Sequence, residues 1–340
     1  MKISKIKARE VILKANKILL LIAGRGTYVD GDALGSSLGL GNILSKVFDK
    51  KIELITDFYF IKKLSFLPGI KKCSKRNPFD VDFSDYDLVI ICDASTPELV
   101  VKSLRGKRFA FGKDVHTLSI DHHATNTNWA TYTLLDKNVS SASEILASIF
   151  KQELNKEAGV NFLVGILWDT GHFKHKTSPE TIEIVGDILN TGVDLNEVSN
   201  RLNYPRESEG TLDLLKKGID RIAWSKRNLY TFTFISYEDL AELDKSDDYG
   251  YGVSSLVNFY SRCLEKSKFG LTFVEESKGQ INAELRGNKV DYIDLSKIAQ
   301  KFGGGGHFHA AGFQMKGELR RVITRVTNLI DKYLKKNDVT

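Results

Sequence analysis

The sequence predicts an α/β protein in which a doubly wound parallel sheet forms the larger domain, joined by helices to a smaller α+β domain. The continuous apolar segment at 18–23 has the length of a strand that is buried on both faces, and 88–92 and 115–120 are further strand candidates. Helical patterns, such as the small-residue segment 33–48, lie between these segments. Strands that alternate with helices are typical of a parallel sheet, in which ligands bind beyond the carboxyl ends of the strands.

The pattern changes towards the carboxyl end of the chain. Residues 229–235 alternate as a strand, and two further strand patterns flank Lys278-Gly279 as a hairpin would. No Ser/Gly-rich linker precedes this region, so we expect a helical connection. The predicted domains are therefore 1–190 and 226–340, with a helical linker over 191–225.

Composition excludes several classes of protein. A formal charge of +6 over 340 residues suits an anionic substrate but falls short of the basic surface that stable binding to duplex DNA requires. Cys73, Cys92 and Cys263 are odd in number and far apart, which argues against both a disulfide framework and a zinc cluster. No apolar segment reaches the roughly 18 residues of a membrane span, and no signal peptide is recognisable, so we expect a cytoplasmic protein.

Acidic residues follow three of the predicted strands. Asp30, Asp93 and Asp121 each come just after a strand, so a parallel sheet would bring all three to one edge. Two adjacent imidazoles, His122 and His123, follow the last of them, where one ring can bind a metal and the other can meet a substrate. Each aspartate alone is also compatible with a cap or turn residue, so the prediction depends on the whole set.

The acidic set is suited to a pair of cations. Asp30-Gly31-Asp32 places two carboxylates on one tight turn, and Asp93 could bridge two ions held there. Asp169, with His122, could complete the second position. Carboxylate and imidazole ligands suit Mn²⁺, with Mg²⁺ or Co²⁺ as substitutes.

A glycine-rich segment near the carboxyl end predicts a second binding element. Gly303–Gly306 precede His307, and backbone amides without side chains can approach an anion closely. Arg286, at the end of a predicted strand, offers a bidentate fork for phosphate. A flexible loop is the alternative interpretation of the glycines.

Taken in order, these motifs resemble those of the DHH phosphoesterase superfamily with its DHH-associated C-terminal domain. The resemblance is closest to the nano-RNase branch, which contains the bacterial oligoribonuclease and phosphoadenosine-phosphate phosphatase proteins, and it covers nearly the whole chain. The matching segments are Asp30-Gly31-Asp32-Ala33, Cys92-Asp93, Asp121-His122-His123 with Asn126, Asp169-Thr170-Gly171 with Phe173, Gly304-Gly305-Gly306-His307 and Ala310-Ala311-Gly312.

The resemblance implies a role for each of these positions. Asp30 and Asp93 would hold a first manganese ion. The second ion would be held by Asp32, Asp93, His122 and Asp169. Asp121 would orient a ligand and His123 would face the scissile phosphate. Substrate contacts would come from Asn126, Arg286, Gly304, Gly305, Gly306 and His307.

One position departs from the family pattern. The first motif usually carries a histidine four residues before its first aspartate, as a ligand to the first ion, and this chain has Gly26 there. The first 115 residues contain no histidine that could replace it. The first ion would therefore bind weakly, be completed by water and substrate, or be absent.

The expected activity is manganese-dependent hydrolysis of short oligonucleotides, such as pGpG or pApA, to mononucleotides, and of 3′-phosphoadenosine 5′-phosphate to AMP. Two alternatives stay open: a cyclic-dinucleotide phosphodiesterase, which shares every motif, and a catalytically impaired nucleotide-binding protein, which Gly26 favours. The expected partners are short single-stranded oligonucleotides or small phosphorylated nucleotides, without a membrane or stable duplex DNA. A homodimer is one expected assembly.

Overall fold

The chain divides into two compact units, Met1–Pro205 and Arg206–Thr340. The computed structural model describes residues 1–24, 28–102, 109–203, 209–243, 264–287 and 293–337, without the side chain of His307. Gly26, which sequence analysis singled out, lies outside these residues.

Unit 1 is built on a six-stranded sheet with helices between and after its strands. Its elements are α1 (Lys5–Lys14), β1 (Lys17–Leu21), α2 (Gly31–Lys46), β2 (Lys51–Thr56), β3 (Cys73–Lys75), β4 (Leu88–Cys92), β5 (Thr117–Asp121), β6 (Tyr132–Leu135), α3 (Ala142–Ile149), α4 (Lys156–Thr170), α5 (Pro179–Leu189) and α6 (Leu195–Asn203). All neighbouring strands are parallel, in the order β3-β2-β1-β4-β5-β6. The strand order reverses between β1 and β4, which is where open α/β sheets bind their ligands.

Unit 2 contains a second six-stranded sheet. Its elements are α7 (Glu209–Asp220), β7 (Ala223–Trp224), β8 (Thr231–Ile235), α8 (Tyr237–Ala241), β9 (Phe269–Ser277), β10 (Gln280–Gly287), α9 (Leu295–Gln300), β11 (Gly305–His307), β12 (Ala310–Lys316) and α10 (Leu319–Lys336). The order is β11-β12-β10-β9-β8-β7, and only β8 and β9 are parallel. The stacked rings of Tyr230 and Phe269 lie in its core, together with the buried Val326 and Ile330 of α10.

The predicted α/β fold class is confirmed, with a parallel sheet followed by a smaller mixed unit. Helix α5 begins at Pro179 behind the cap residue Ser178, as the sequence predicts. The predicted linker 191–225 contains α6 and α7. Among the described residues, no helix is both long enough and apolar enough to cross a bilayer.

Several local predictions were wrong. Asp30-Gly31-Asp32 is not a tight turn, because Asp30 caps α2 and the next two residues already belong to the helix. Helix α1 buries Ala8 and Ile12, whereas Ile6 is 75% exposed, so the apolar residues of the segment 1–16 do not all face the core. The glycine-rich segment is not only a loop, since Gly305–His307 pairs with β12 as a strand. The short edge strands β3 and β6 were missed because their sequences lack a continuous apolar segment.

Glycines set the close approach of α2 and α4. A Cβ atom at Gly35 would lie 2.3 Å from the backbone oxygen of Asn161. At Gly39 and Gly31 it would meet the rings of Phe162 and Trp168 at 2.4 Å. No such distance is tolerated between non-bonded heavy atoms, so the two helices can pack this closely only with glycine at these positions.

We therefore expect Gly35→Ala to lower the free energy of unfolding by about 2 kcal/mol or more, because the obstacle is backbone and cannot rotate away. Gly186→Ala is the matched control, since Gly186 lies within α5 and a Cβ there meets nothing within 4 Å. The control should raise the free energy of unfolding by up to about 1 kcal/mol through helix propensity. Urea denaturation of both variants measures the difference, and equal effects would contradict the packing argument.

Candidate metal centre

Three carboxylates from separate parts of unit 1 meet around one imidazole nitrogen. The four residues are Asp32 in the first turn of α2, Asp93 after β4, His122 after β5 and Asp169 at the end of α4. One ligand atom from each lies within 4.8 Å of all the others. His122 Nε2 is 3.0 Å from Asp169 Oδ2, 3.3 Å from Asp93 Oδ1 and 4.0 Å from Asp32 Oδ2. The set coincides with the residues that the resemblance implies for the second ion.

Asp93 is held in an uncommon backbone conformation. Its φ of 56° lies in the left-handed region, which costs about 1–3 kcal/mol for a residue other than glycine, although aspartate tolerates it better than most. Its N–H donates to the carbonyl of Ile120 at 2.9 Å, so the pairing of β4 and β5 extends into this residue. The fold therefore offsets local strain in order to keep the Asp93 carboxylate beside His122.

Asp32 is fully buried and is stabilised by the amino end of α3. Its two carboxylate oxygens accept hydrogen bonds from Ala142 N at 2.7 Å and Ser143 N at 2.9 Å. The unpaired amides and the positive end of a helix favour a negative charge at this place. Gly165 of α4 lies against the pair, and a Cβ there would be 2.0 Å from Ser143 Oγ and 2.7 Å from Asp32 Oδ1.

The cluster carries more negative charge than its buried position favours. Burial raises the pKa of Asp32 well above its usual range, and the charges of Asp93 and Asp169 raise it further. Burial by itself lowers the pKa of His122, but the carboxylates of Asp169 and Asp93 outweigh it and raise that pKa to about 11. Without a cation, protons therefore supply the positive charge that the carboxylates require.

The residues fit a divalent cation. His122 is 2% exposed, and within the described part of the chain neither ring nitrogen makes a hydrogen bond of good geometry, although Nε2 lies 3.0 Å from a carboxylate oxygen of Asp169. Such an unsatisfied buried nitrogen is costly in a folded protein unless it binds an ion. Three carboxylates and one imidazole are ligands of the kind that Mn²⁺ or Mg²⁺ accepts. Among the described residues, no cysteine belongs to a converging group of ligands, so a thiolate ligand is not provided.

A second hydrogen-bonded group adjoins the cluster. Asp121 Oδ1 lies 2.8 Å from His123 Nδ1, and it also accepts the backbone N–H groups of both histidines. Asn126 Nδ2 donates to Asp121 Oδ2 at 2.7 Å. Burial raises the pKa of Asp121, but its hydrogen bonds from His123 and Asn126 outweigh that effect, and the pKa is lowered. Asp121 thus stays ionised, and its Oδ1 fixes the orientation of the His123 ring through Nδ1.

Asn126 and Asp30 are engaged in local structure. Besides its bond to Asp121, the Asn126 side chain donates to the carbonyl of Ala94 and accepts from Asn128 N. Asp30 Oδ1 accepts the amides that open α2, and Asp30 belongs to neither group of ligands that converges among the described residues. The substrate role of Asn126 and the metal role of Asp30 stay predictions.

Unit 2 carries the remaining predicted residues. Arg286 lies on β10, and its guanidinium donates to Glu284 at 3.1 Å and to the carbonyl of Leu285 at 3.0 Å. A Cβ atom at Gly304 would be 2.1 Å from the oxygen of Gly312, so packing against β12 requires this glycine.

The other residues of the glycine-rich segment differ from Gly304. Gly306 has a φ of 138° and equally close neighbours in β12, whereas the space beside Gly305 is open. The side chain of His307 lies outside the described part of the chain. Packing therefore explains Gly304 and Gly306, whereas nothing within 4 Å of the Cβ position requires a glycine at Gly305.

Sequence analysis missed the residues that support Asp32. Its contacts with α3 and Gly165 join segments more than 100 residues apart, which no local pattern reveals. One local signal was present: Ser141 and Glu144 have the spacing of an amino-terminal helix cap, and Ser141 Oγ accepts Glu144 N. That signal correctly places the start of α3 at Ala142, directly after the cap residue Ser141.

The comparisons with known families agree with this architecture. Residues 22–167 match the family model for the DHH family, N-terminal domain, and residues 253–336 match the model for the DHHA1 domain. The first match contains three of the four ligand candidates, and the fourth, Asp169, lies two residues beyond its end.

Known relatives match nearly the whole chain. The chain is 28% identical over 333 residues to the bifunctional oligoribonuclease and PAP phosphatase NrnA of Thermus thermophilus, covering 95% of this chain and 92% of that one. It is 26% identical over 319 residues to a probable protein of the same name from Streptococcus mutans, covering 89% and 92%. The crystal structure of an exopolyphosphatase-related protein from Bacteroides fragilis has the same fold, with a TM-score of 0.82, 21% identity and 97% of each chain covered.

We expect cation binding to release a proton, because the cation replaces the proton that the neighbouring carboxylates hold on His122. The apparent affinity for Mn²⁺ should rise with pH between 6 and 9, by about tenfold per pH unit for each proton released. Titration calorimetry in buffers of different ionisation enthalpy measures this release. Binding without proton release would contradict the charge balance described above.

We expect His122→Gln and Asp169→Asn each to weaken Mn²⁺ binding by at least about tenfold, since each removes one of four ligands. Glu183→Gln, which removes an exposed carboxylate from α5, is the control and should leave the affinity within twofold. If both ligand variants bind Mn²⁺ as the wild type does, the four residues do not form the site.

Proposed function

Because the chain belongs to the nano-RNase branch of the DHH phosphoesterase superfamily and is a metal-dependent phosphoric ester hydrolase, we propose that it hydrolyses short single-stranded oligonucleotides to mononucleotides. Dinucleotides such as pGpG and pApA are the preferred class, and 3′-phosphoadenosine 5′-phosphate, converted to AMP, is a second substrate. The observation that carries the proposal is the convergence of Asp32, Asp93, His122 and Asp169 around one buried nitrogen. The similarity to NrnA over 95% of the chain supports the substrate class.

Two Mn²⁺ ions complete the proposed site, with Mg²⁺ or Co²⁺ as substitutes. The converging set would hold one ion, and Asp30 with Asp93 would hold the other. When bound, the ions supply Lewis-acid stabilisation of charge on the phosphoryl oxygens and lower the pKa of the attacking water. The convergence of Asp32, Asp93, His122 and Asp169 supports the position of the second ion. The position of the first ion, at Asp30 and Asp93, rests on the resemblance and lacks the usual histidine, because residue 26 is Gly26.

The protein's own residues position the substrate phosphate and the proton. In the proposed mechanism, His123 hydrogen-bonds to Asp121 through Nδ1 and faces a phosphoryl oxygen with Nε2. Asp121 keeps the ring in place, and Asn126 keeps Asp121 in place, through the hydrogen bonds at 2.8 and 2.7 Å. The burial of His123, which is 6% exposed, strengthens these charge-assisted bonds.

We also propose that unit 2 binds nucleotide through Arg286, His307 and the amides of Gly304, Gly305 and Gly306. Gly305 is exposed and has no heavy atom within 4 Å of its Cβ position, which leaves room for a ligand beside this residue. Arg286 is half-buried and carries a guanidinium that can exchange Glu284 for a phosphate.

The remaining proposals concern the location of the protein, its partners and its assembly. We propose that it acts in the cytoplasm, does not bind duplex DNA stably, and forms a homodimer. A net charge of +6 supports a short anionic substrate rather than a long duplex. Sedimentation of the purified protein tests the dimer.

Gly26 favours one second candidate, a nucleotide-binding protein with little turnover. It would keep the nucleotide contacts of unit 2 and lack a fully bound first ion. A cyclic-dinucleotide phosphodiesterase is the other alternative, because it shares the motifs quoted above. Activity on linear and cyclic dinucleotides distinguishes all three.

We expect the wild type with Mn²⁺ to release mononucleotides from pApA, to lose this activity with a chelator, and to cleave cyclic di-AMP at least tenfold more slowly. Chromatography of the products measures each reaction. Faster cleavage of the cyclic substrate would favour the phosphodiesterase alternative. Binding of pApA without turnover, rescued by Gly26→His, would favour the impaired form.

Asp121→Asn should lower kcat by about 10- to 100-fold, because an amide opposite Nδ1 no longer holds the His123 ring and its proton in place. Mn²⁺ affinity should change by less than threefold, because Asp121 is not one of the four proposed ligands Asp32, Asp93, His122 and Asp169, although its carboxylate also converges with Asp93, His122 and His123. Kinetics on pApA together with calorimetry separates the two effects. A loss of Mn²⁺ affinity as large as the loss in kcat would show that Asp121 acts as a metal ligand instead.

A further inference from the structure

Unit 1 carries another group of polar side chains, formed by Tyr59, Lys75 and Lys102. Two ammonium groups lie over the ring of Tyr59, with Lys75 Nζ 3.1 Å and Lys102 Nζ 4.1 Å from its centroid. Tyr59 is 50% exposed, and both lysines are exposed. Solvent and ligands can therefore reach all three side chains.

The positive charge of this group is not neutralised within the described part of the chain. Neither lysine has a carboxylate there within 4.0 Å, whereas the adjacent Arg76 is paired with Glu53 at 3.2 Å. A hydrogen bond from Lys75 and the charges of both lysines lower the pKa of Tyr59, which indicates a positive local potential. Two neighbouring ammonium groups repel each other, and a bound anion would relieve that repulsion.

The backbone around the group is held in place before any ligand binds. Asp57 Oδ2 accepts Lys102 N at 2.9 Å and Asn77 Nδ2 at 3.1 Å. These bonds join the segments that follow β2, β3 and β4. A ligand would therefore order only the outer parts of two lysine side chains, which lowers the entropic cost of binding.

The group lies at the same edge of the sheet as the metal centre. Val29 N donates to the carbonyl of Tyr59 at 3.0 Å, and Val29 precedes Asp30. In the strand order, β2 is separated from β4 by β1 alone, so the strand ends that lead to Tyr59 and Asp93 are about 10 Å apart. A nucleoside that carries two phosphates can span such a distance.

We propose that Tyr59, Lys75 and Lys102 form a subsite for a second phosphate of the substrate, one nucleoside away from the phosphate that is cleaved. This inference rests on the proposed function. The two ammonium groups bind the phosphate, and the tyrosine ring offers an apolar face to the attached sugar or base. Both proposed substrates carry such a group: pApA has a 5′-phosphate, and 3′-phosphoadenosine 5′-phosphate has a phosphate on each side of the ribose.

The test compares pApA with ApA, which differ only in the 5′-phosphate. The wild type should prefer pApA in kcat/KM, and this preference should weaken as salt is added. In the double variant Lys75→Gln/Lys102→Gln the preference should fall about tenfold, through KM rather than kcat. The matched control is Lys71→Gln/Lys113→Gln, which removes two exposed lysines of unit 1 and should keep the wild-type preference.

Each contrary outcome overturns the subsite. It is overturned if the wild type does not prefer pApA, if the double variant keeps the preference, or if the control loses it equally. If the wild type cleaves neither dinucleotide, the proposed function fails. The subsite is then judged by equilibrium binding of 5′-AMP against adenosine: a phosphate-dependent affinity that the double variant loses supports it, and an unchanged affinity overturns it.

Discussion

The mutual repulsion of three carboxylates around His122 is the constraint on which the rest of unit 1 depends. Burying an uncompensated charge costs several kcal/mol even after the protein relaxes, and Asp32, Asp93 and Asp169 meet within 4.8 Å. The fold offsets part of this cost with the amino end of α3, and protons or a cation supply the rest. A site that requires positive charge at its centre is a site that binds metal ions.

The same constraint accounts for features that look unrelated. Asp93 adopts a left-handed backbone conformation beside the reversal of strand order, where its carboxylate reaches the cluster. The glycines of α2 and Gly165 of α4 remove side chains that would push Asp32 away. The energy for these arrangements comes from the fully buried strands β4 and β5, which provide a rigid base. Stability and chemistry therefore share the same residues in this unit.

Around the metal centre, negatively and positively charged side chains occupy different places and have different functions. Asp121 is buried, but its hydrogen bonds keep it ionised, whereas the carboxylates around His122 compete for positive charge. The exposed lysines over Tyr59 supply the opposite sign at the same edge of the sheet. Such a distribution suits a substrate with two phosphates, of which one is cleaved and the other is only held. In unit 2, by contrast, the glycine-rich segment is shaped chiefly by its packing against β12.

The sequence by itself determined the parallel sheet and the ligand types, because strands that alternate with helices form such a sheet and carboxylates at its strand ends must share one edge. It could not determine that Asp30 caps a helix while Asp32 enters the cluster, since both occupy equivalent places in the Asp-Gly-Asp motif. Only the tertiary structure decided the support of Asp32 by α3 and Gly165, and the convergence of two lysines on Tyr59. These contacts join segments far apart in the chain, and their geometry depends on how closely the helices and loops pack, which local sequence patterns do not encode.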